Sequence, residues 1–233
     1  MLKLALKNTL SLLFPKLCLA CDQPLVDDDA YICLQCETKL PETDFWQRKE
    51  NPFLQRFAYD ARIESAAALY QYAKGTGVQN LIHKIKYKDQ REVALQLGRL
   101  LGDKIITSEF FKNIDFIIPV PMHPRKERER GFNQAAVLAQ GISEKNGWRI
   151  DNSILKKVKY THVQAQSNYS ERLQNVFEAY QCVNATPCKN KKILIVDDVA
   201  TTGATLQTCV DAILEKESDC TICIVTLAFT SLS

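Results

Sequence analysis

The chain has 233 residues, of which 46% are hydrophobic and 24% charged, and its net charge is +3. That length accommodates one full core with a small appendage, and the composition is that of a folded globular protein rather than a disordered or fibrous one. So slight a positive excess gives no argument by itself for a nucleic-acid surface, which needs clustered Lys and Arg.

Leu2, Leu6, Leu10, Leu13 and Leu17 recur at helical intervals and predict a short helix with one apolar face, ending where Pro15 and the first cysteines begin. The apolar run after Lys3 and Lys7 is too short for a secretory signal core, and no small-residue cleavage site follows it. No stretch approaches the ~20 apolar residues of a membrane span, so a cytoplasmic location without membrane insertion is expected.

In such a reduced compartment the nine cysteines bind metal, react, or fill cores as small hydrophobes, and spacing decides among these. Cys18-x-x-Cys21 and Cys33-x-x-Cys36 form two knuckles separated by eleven residues, the arrangement of a tetrahedral zinc site. Four cysteine ligands leave no open position, so the Zn²⁺ is expected to be structural. It would supply folding energy on the order of 10 kcal/mol to a segment with no core of its own. Unrelated buried thiols or a redox pair explain this double spacing less well. A polar stretch through Asn51 and Pro52 then separates residues 1–55, a helix and zinc-ribbon-like module, from a second unit at 56–233.

In that second unit, residues 65–72 alternate like a strand, and Gly75 and Gly77 release the chain into a helix carrying Val78, Leu81, Ile82 and Ile85. A further helix is expected from about Glu92 to Ile105. Residues 115–121 read as a buried strand closed by proline, followed by a charged loop and a helix from about Phe132 that carries Ala135, Ala136, Leu138, Ala139 and Ile142. The pattern repeats as a strand at 192–196, a loop, a helix from about Ala204 to Glu215, and a strand at 221–228. This alternation predicts an α/β fold, a parallel sheet flanked by helices. Cys220 and Cys223 fall in the last strand, where residues three apart face opposite ways, so that pair is expected to be core rather than chelating. Cys182, Cys188 and Cys209 read as structural thiols.

Ligands of open α/β sheets bind beyond the carboxyl ends of the strands, which directs attention to the residues just after the strand Ile193 to Val196. Asp197 and Asp198 stand there, an adjacent pair that repels itself unless sugar hydroxyls or a cation engage it. Ala200, Thr201, Thr202, Gly203, Ala204 and Thr205 lead into the next helix, where unpaired amides and the positive dipole end favour a phosphate. Three threonine hydroxyls add donors there, and Gly203 permits close backbone approach. A strand-end acid pair with a threonine cap occurs in many α/β proteins, and it accounts for the two aspartates alone as readily as for a ligand site. It accounts poorly for the complete run.

That run, 193–205, resembles the phosphoribosyl pyrophosphate signature of type I phosphoribosyltransferases, with Ala200 standing where the family usually has a larger apolar residue. Purine-salvage members place an aspartate general base at the position of Thr201, and a threonine hydroxyl cannot serve that role near pH 7. Likeness to the hypoxanthine-guanine enzymes is therefore disfavoured.

Pro119-Val120-Pro121, Arg130-Gly131-Phe132-Asn133-Gln134, Thr161-His162-Val163-Gln164, the run 172–177 and the 197–205 loop together resemble the competence protein F family across nearly the whole chain. The resemblance implies a type I phosphoribosyltransferase fold with an N-terminal zinc module and a link to DNA uptake or utilisation in bacteria. It implies Mg²⁺ with phosphoribosyl pyrophosphate, or a related ribose 5-phosphate ligand, as the bound species. Asp197 and Asp198 would hold the ribose hydroxyls, residues 201–205 the 5-phosphate, and Val120, Pro121 and Met122 with Arg130 the pyrophosphate. Arg125 and Arg128 either join that loop or, interleaved with Glu127 and Glu129, belong to an exposed charged hairpin. Gln164, Arg172 and Asn175 fall where a lid would lie, although a surface helix explains Arg172 and Asn175 equally, and Lys86 with Tyr87 matches a further family position. Of the isolated histidines, His83 is placed on a helix, His123 on the pyrophosphate loop and His162 in the lid.

The pattern assigns no residue to activate an acceptor. It leaves two readings, a phosphoribosyltransferase-like enzyme and a non-catalytic competence protein that contacts single-stranded DNA or senses metabolites. In the second, the basic runs 156–159 and 189–192 would contribute, although such runs are usually solvated faces.

Overall fold

The computed structural model describes residues 15–26, 30–87, 90–159 and 179–231. In chain order it contains α1 (Leu34–Lys39), β1 (Ile63–Gln71), α2 (Gly77–Lys84), α3 (Arg91–Ile106), β2 (Phe116–Pro119), α4 (Pro124–Arg130), α5 (Gln134–Asn146), β3 (Arg149–Ile150), β4 (Leu155–Lys157), β5 (Tyr180–Cys182), β6 (Lys191–Ala200), α6 (Ala204–Leu214) and β7 (Cys220–Phe229). The helix expected over 2–17 lies almost entirely outside the described residues, as do the acidic 27–29 and the expected lid with His162, Gln164, Arg172 and Asn175.

Five strands pair in the order β1-β7-β6-β2-β3, every neighbouring pair parallel, while β4 and β5 form a separate antiparallel pair. The expected α/β architecture is therefore present. A parallel sheet covered on both faces selects unbroken apolar strands, and Ile193, Leu194, Ile195 and Val196 of β6 are fully buried, as are Ile222 to Val225 of β7. Cys220 and Cys223 are buried within β7, in keeping with a core role.

On one face, α3 and α5 pack closely because glycines remove side chains where they meet. A Cβ on Gly98 would overlap the Leu138 carbonyl, and one on Gly141 would overlap the Leu95 carbonyl. Elsewhere Phe45 packs edge-on and Phe53 at a tilt against Phe229 at the end of β7, with ring centroids 5.7 and 4.8 Å apart, which ties residues 45–57 into the same apolar core as the sheet.

Two sequence expectations change. The segment after β2, expected as a charged loop, contains the helix α4. Pro124 suits its first turn, the His123 ring nitrogen Nδ1 accepts from the Arg125 amide at 3.2 Å, and Gly131 ends it at φ 89°. Its alternating charges act as a helical i,i+4 pair between Arg125 and Glu129 at 3.3 Å. In addition, β6 runs on to Ala200 rather than stopping at Val196, with Asp197 opposite Thr226 and Ala200 opposite Phe229 in β7. The aspartates thus sit on the last stretch of a central strand, and only residues 201–203 connect it to α6.

Candidate functional site

A parallel sheet presents the carboxyl ends of its strands along one edge, and β2 and β6 end there side by side with Pro119 opposite Val196. A cleft of about 370 Å³ opens at this point. Asp197 and Asp198 face it from β6, residues 120–123 from the turn after β2, Arg130 from α4 and Thr205 from the first turn of α6. The structure therefore gathers Val120, Pro121, Met122, Arg130, Asp197, Asp198 and Thr205 from distant parts of the sequence.

The carboxylates are tied to one another and to a lysine. The Asp198 amide donates to Asp197 Oδ1 at 2.8 Å, and Lys86 Nζ lies 3.4 Å from Asp198 Oδ2. Burial first, and then the Asp198 charge, pushes the Asp197 carboxyl up to about 8. Across the cleft, the Val120 amide is held by the Val196 carbonyl at 2.8 Å and the Val120 carbonyl accepts from Asn133 Nδ2 at 2.9 Å, which fixes the turn. Arg130 Nη1 donates to Gln134 Oε1 at 3.0 Å, one helical turn along. Arg125 and Arg128 do not line the cleft.

In the loop after β6, Ala200 is buried, Thr201 and Thr202 are exposed, and Gly203 adopts φ +83°. That left-handed backbone suits glycine, and a Cβ there would meet the Phe57 ring at 3.3 Å. Thr202 Oγ1 accepts from the Ala204 amide at 3.3 Å. Among the described residues, no backbone hydrogen bond uses the amides of Thr201, Thr202 or Gly203. The start of α6 thus keeps the open donors that make a helix terminus receptive to an anion.

The cleft also contains Lys126, Asn133 and Gln134, from the segment 122–134 that the family resemblance wraps around the pyrophosphate but which were not singled out there, and Lys157 and Tyr180, which sequence reasoning did not assign to it. Lys126 and Arg130 are four apart, so recognising α4 would have placed them on one face. Lys157 and Tyr180 come from the β4–β5 pair, whose assembly depends on a contact between segments distant in sequence. Lys86 lines the cleft whereas Tyr87 does not, the latter packing edge-on against the His83 ring.

Three lysines of the basic runs are engaged, while Lys156, Lys159 and Lys189 are exposed. Lys157 turns into the cleft, Lys191 pairs with Asp115 at 2.8 Å and Lys192 with Glu64 at 2.8 Å.

Away from the cleft, the Sγ atoms of Cys18, Cys21, Cys33 and Cys36 lie within 4.8 Å of one another, the one such cluster of potential metal ligands among the described residues. A tetrahedral zinc with Zn–S bonds of ~2.3 Å spaces its sulfurs ~3.8 Å apart, and Cys21 Sγ lies 3.8 Å from Cys33 Sγ. Burial by itself would raise the Cys18 thiol, but the amides of Cys33, Cys21 and Ala20 turned toward it bring it down to about 7. The donor set and spacing fit a thiolate-bound divalent ion.

Residues 86–231, well over half the chain, match the Phosphoribosyl transferase domain family. The chain belongs to that family. Its relatives include Competence protein F of Haemophilus influenzae, 32% identical over 130 residues that cover 54% of this chain and 57% of that protein. DNA utilization protein YhgH of Salmonella typhi is 30% identical over 129 residues, covering 54% and 56%. The chain thus matches about half the length of these relatives. Among solved structures, the glutamine phosphoribosylpyrophosphate amidotransferase of B. subtilis aligns with a TM-score of 0.39 at 20% identity, over 58% of this chain and 26% of that one. The phosphoribosyl transferase match begins at Lys86 and includes both walls of the cleft, and the four cysteines lie outside it. Among the described residues no helix is long and apolar enough to cross a membrane.

Proposed function

We propose that this chain binds phosphoribosyl pyrophosphate, or a closely related ribose 5-phosphate ligand, and is a phosphoribosyltransferase-like protein of bacterial DNA uptake or utilisation. One observation carries the reading: paired carboxylates, Thr205 of the first turn of α6 and the basic side chains Lys126 and Arg130 of α4 meet in a single cleft of about 370 Å³, with residues 201–204 next to Thr205 but outside its lining. Asp197 and Asp198 accept the ribose hydroxyls, residues 201–205 hold the 5-phosphate, and residues 120–122 with Arg130 hold the pyrophosphate. The names of the relatives support the biological setting.

Hard carboxylate oxygens suit Mg²⁺, so Asp197 and Asp198 are the residues beside which it would enter with the ligand, supplying charge neutralisation to the diphosphate. Were an acceptor to displace pyrophosphate at the anomeric carbon, the chain's own contribution would be electrostatic: the positive charge growing on the sugar would face Asp198 and the negative charge on the departing pyrophosphate would face Arg130. Cys18, Cys21, Cys33 and Cys36 of the module at residues 1–55 would hold a structural Zn²⁺, the phosphoribosyl transferase unit runs over 56–233, and the protein acts in the cytoplasm.

Calorimetric titration with phosphoribosyl pyrophosphate and Mg²⁺ tests the reading. Wild-type protein should bind, and an Asp197→Ala, Asp198→Ala double variant should lose at least about 100-fold in affinity, roughly 2.7 kcal/mol. Equal affinity of the two proteins would overturn it.

A further inference from the structure

The run Lys156-Lys157-Val158-Lys159 reads in sequence as a solvated or nucleic-acid-facing stripe, but β4 divides it. Successive strand residues point to opposite faces: Lys156 is exposed, while Lys157 is half-buried and lines the cleft. There its Nζ donates to the Tyr180 hydroxyl at 2.9 Å and sits 4.8 Å from the centre of that ring. Of the other basic groups of the cleft, Lys86 is paired with Asp198 and Arg130 bonded to Gln134, while Lys126 enters from α4. Among the described residues, Lys157 makes no ion pair, and the group it bonds is a neutral phenol.

An ammonium offers three donors and a full charge, and half-burying it against a phenol leaves most of both uncompensated. Burial lowers the Lys157 ammonium below its ordinary value, as expected for such a group. Attraction from the nearby Asp197 offsets that lowering only in part. A ligand bearing anionic oxygens would remove the deficit on entering. Tyr180 fixes where the ammonium points.

We propose that Lys157, positioned by Tyr180, is a ligand-contacting residue of the cleft that binds a phosphate oxygen of the bound molecule. The proposal rests on the reading of the cleft as a phosphorylated-sugar site and adds to it a cationic contact from the β4–β5 pair, facing the groups already assigned. Either the diphosphate or the 5-phosphate supplies the same chemistry, and the test distinguishes them.

Lys157→Met, Lys157→Arg and Tyr180→Phe variants are titrated with phosphoribosyl pyrophosphate plus Mg²⁺, with inorganic pyrophosphate and with ribose 5-phosphate, at two salt concentrations. Lys157→Met should lose about tenfold or more in affinity for phosphoribosyl pyrophosphate, with a weaker salt dependence because one charge contact is gone. Its thermal stability should hold or rise, since an uncompensated buried charge has been removed. A merely structural lysine would show the opposite, lower stability with unchanged affinity. Lys157→Arg should retain most of the affinity, and Tyr180→Phe should fall between. A matching loss for pyrophosphate alone assigns Lys157 to the diphosphate, and one for ribose 5-phosphate assigns it to the 5-phosphate. Wild-type affinity in Lys157→Met, while the Asp197, Asp198 variant fails to bind, would sink this proposal and leave the parent reading intact. If wild-type protein ignores phosphoribosyl pyrophosphate but binds one simpler anion through Lys157, the parent reading fails and this one stands. Binding of none of the three overturns both.

Discussion

At Gly203 and Asp197, single side chains, or the lack of one, set the properties of the cleft. Gly203 combines φ +83° with a Phe57 ring that would lie 3.3 Å from any Cβ. Left-handed backbone costs an L-residue roughly 1–2 kcal/mol, and the crowding adds to it. Gly203→Ala should therefore lower unfolding stability by about 2 kcal/mol and weaken phosphate-ligand binding, as read by urea denaturation and calorimetry. Loss of stability without loss of binding would separate the loop from the ligand. Asp197 gives a pH signature. Its proton is retained in the folded protein up to about 8, whereas an unfolded chain releases it near 4. Between those values the folded state binds more protons, so this group's contribution to stability falls as pH rises. A carboxamide in its place would carry no charge to bury. The melting temperature of Asp197→Asn should match wild type near pH 5 and exceed it by about 3 °C or more by pH 9, as scanning calorimetry over that range would show. A constant difference at all pH values would mean that the carboxylate is not buried as described.

The close approach of α3 and α5 rests on glycines that face the opposing backbone. Gly141→Ala gains up to about 1 kcal/mol of helix propensity, yet its methyl would overlap the Leu95 carbonyl and crowd Arg99. Overpacking of about 1–3 kcal/mol against a backbone that cannot rotate away should win, leaving the variant less stable in urea denaturation. The elements that were legible in sequence have a shared cause: β6 and β7 are buried on both faces, so they appear as apolar runs, and α5 carries its core residues at helical spacing. By contrast α4 has no buried residue, so it leaves no hydrophobic periodicity to read and appears as charged loop. The residues of the cleft divide in the same way. Asp197, Asp198 and Thr205 were readable because they are close in sequence, whereas Lys126 depended on recognising α4. Lys157 belongs to a strand of three residues, too short to display alternation, and Tyr180 reaches the cleft through a pairing that sequence does not reveal.

At the scale of the whole molecule, the cysteine cluster and the cleft are joined through α2. Gly77 lies against Ala20 and Leu40, where a Cβ would stand 3.1 and 3.2 Å from their side chains. Asn80 Nδ2 donates to the Ala20 carbonyl at 3.0 Å, and Lys84 pairs with Asp22. Two residues beyond Lys84, Lys86 reaches Asp198. The turn that carries Cys18 and Cys21 is therefore braced against the helix whose end aims a lysine at the carboxylate pair. Zinc binding contributes on the order of 10 kcal/mol to small modules of this kind, so losing the ion should release Ala20 and Asp22 from α2 and loosen the position of Lys86. Removal of metal by a strong chelator, or a Cys36→Ser substitution, should thus lower the melting temperature by several degrees and weaken phosphoribosyl pyrophosphate binding by about 3- to 10-fold. Asp198→Asn should weaken binding too, but with one metal ion per chain still present by elemental analysis, because it breaks the last link and leaves the cysteines alone. Full ligand affinity in metal-free protein would show that α2 holds Lys86 without help from the module, and the two ends of the molecule would then be independent.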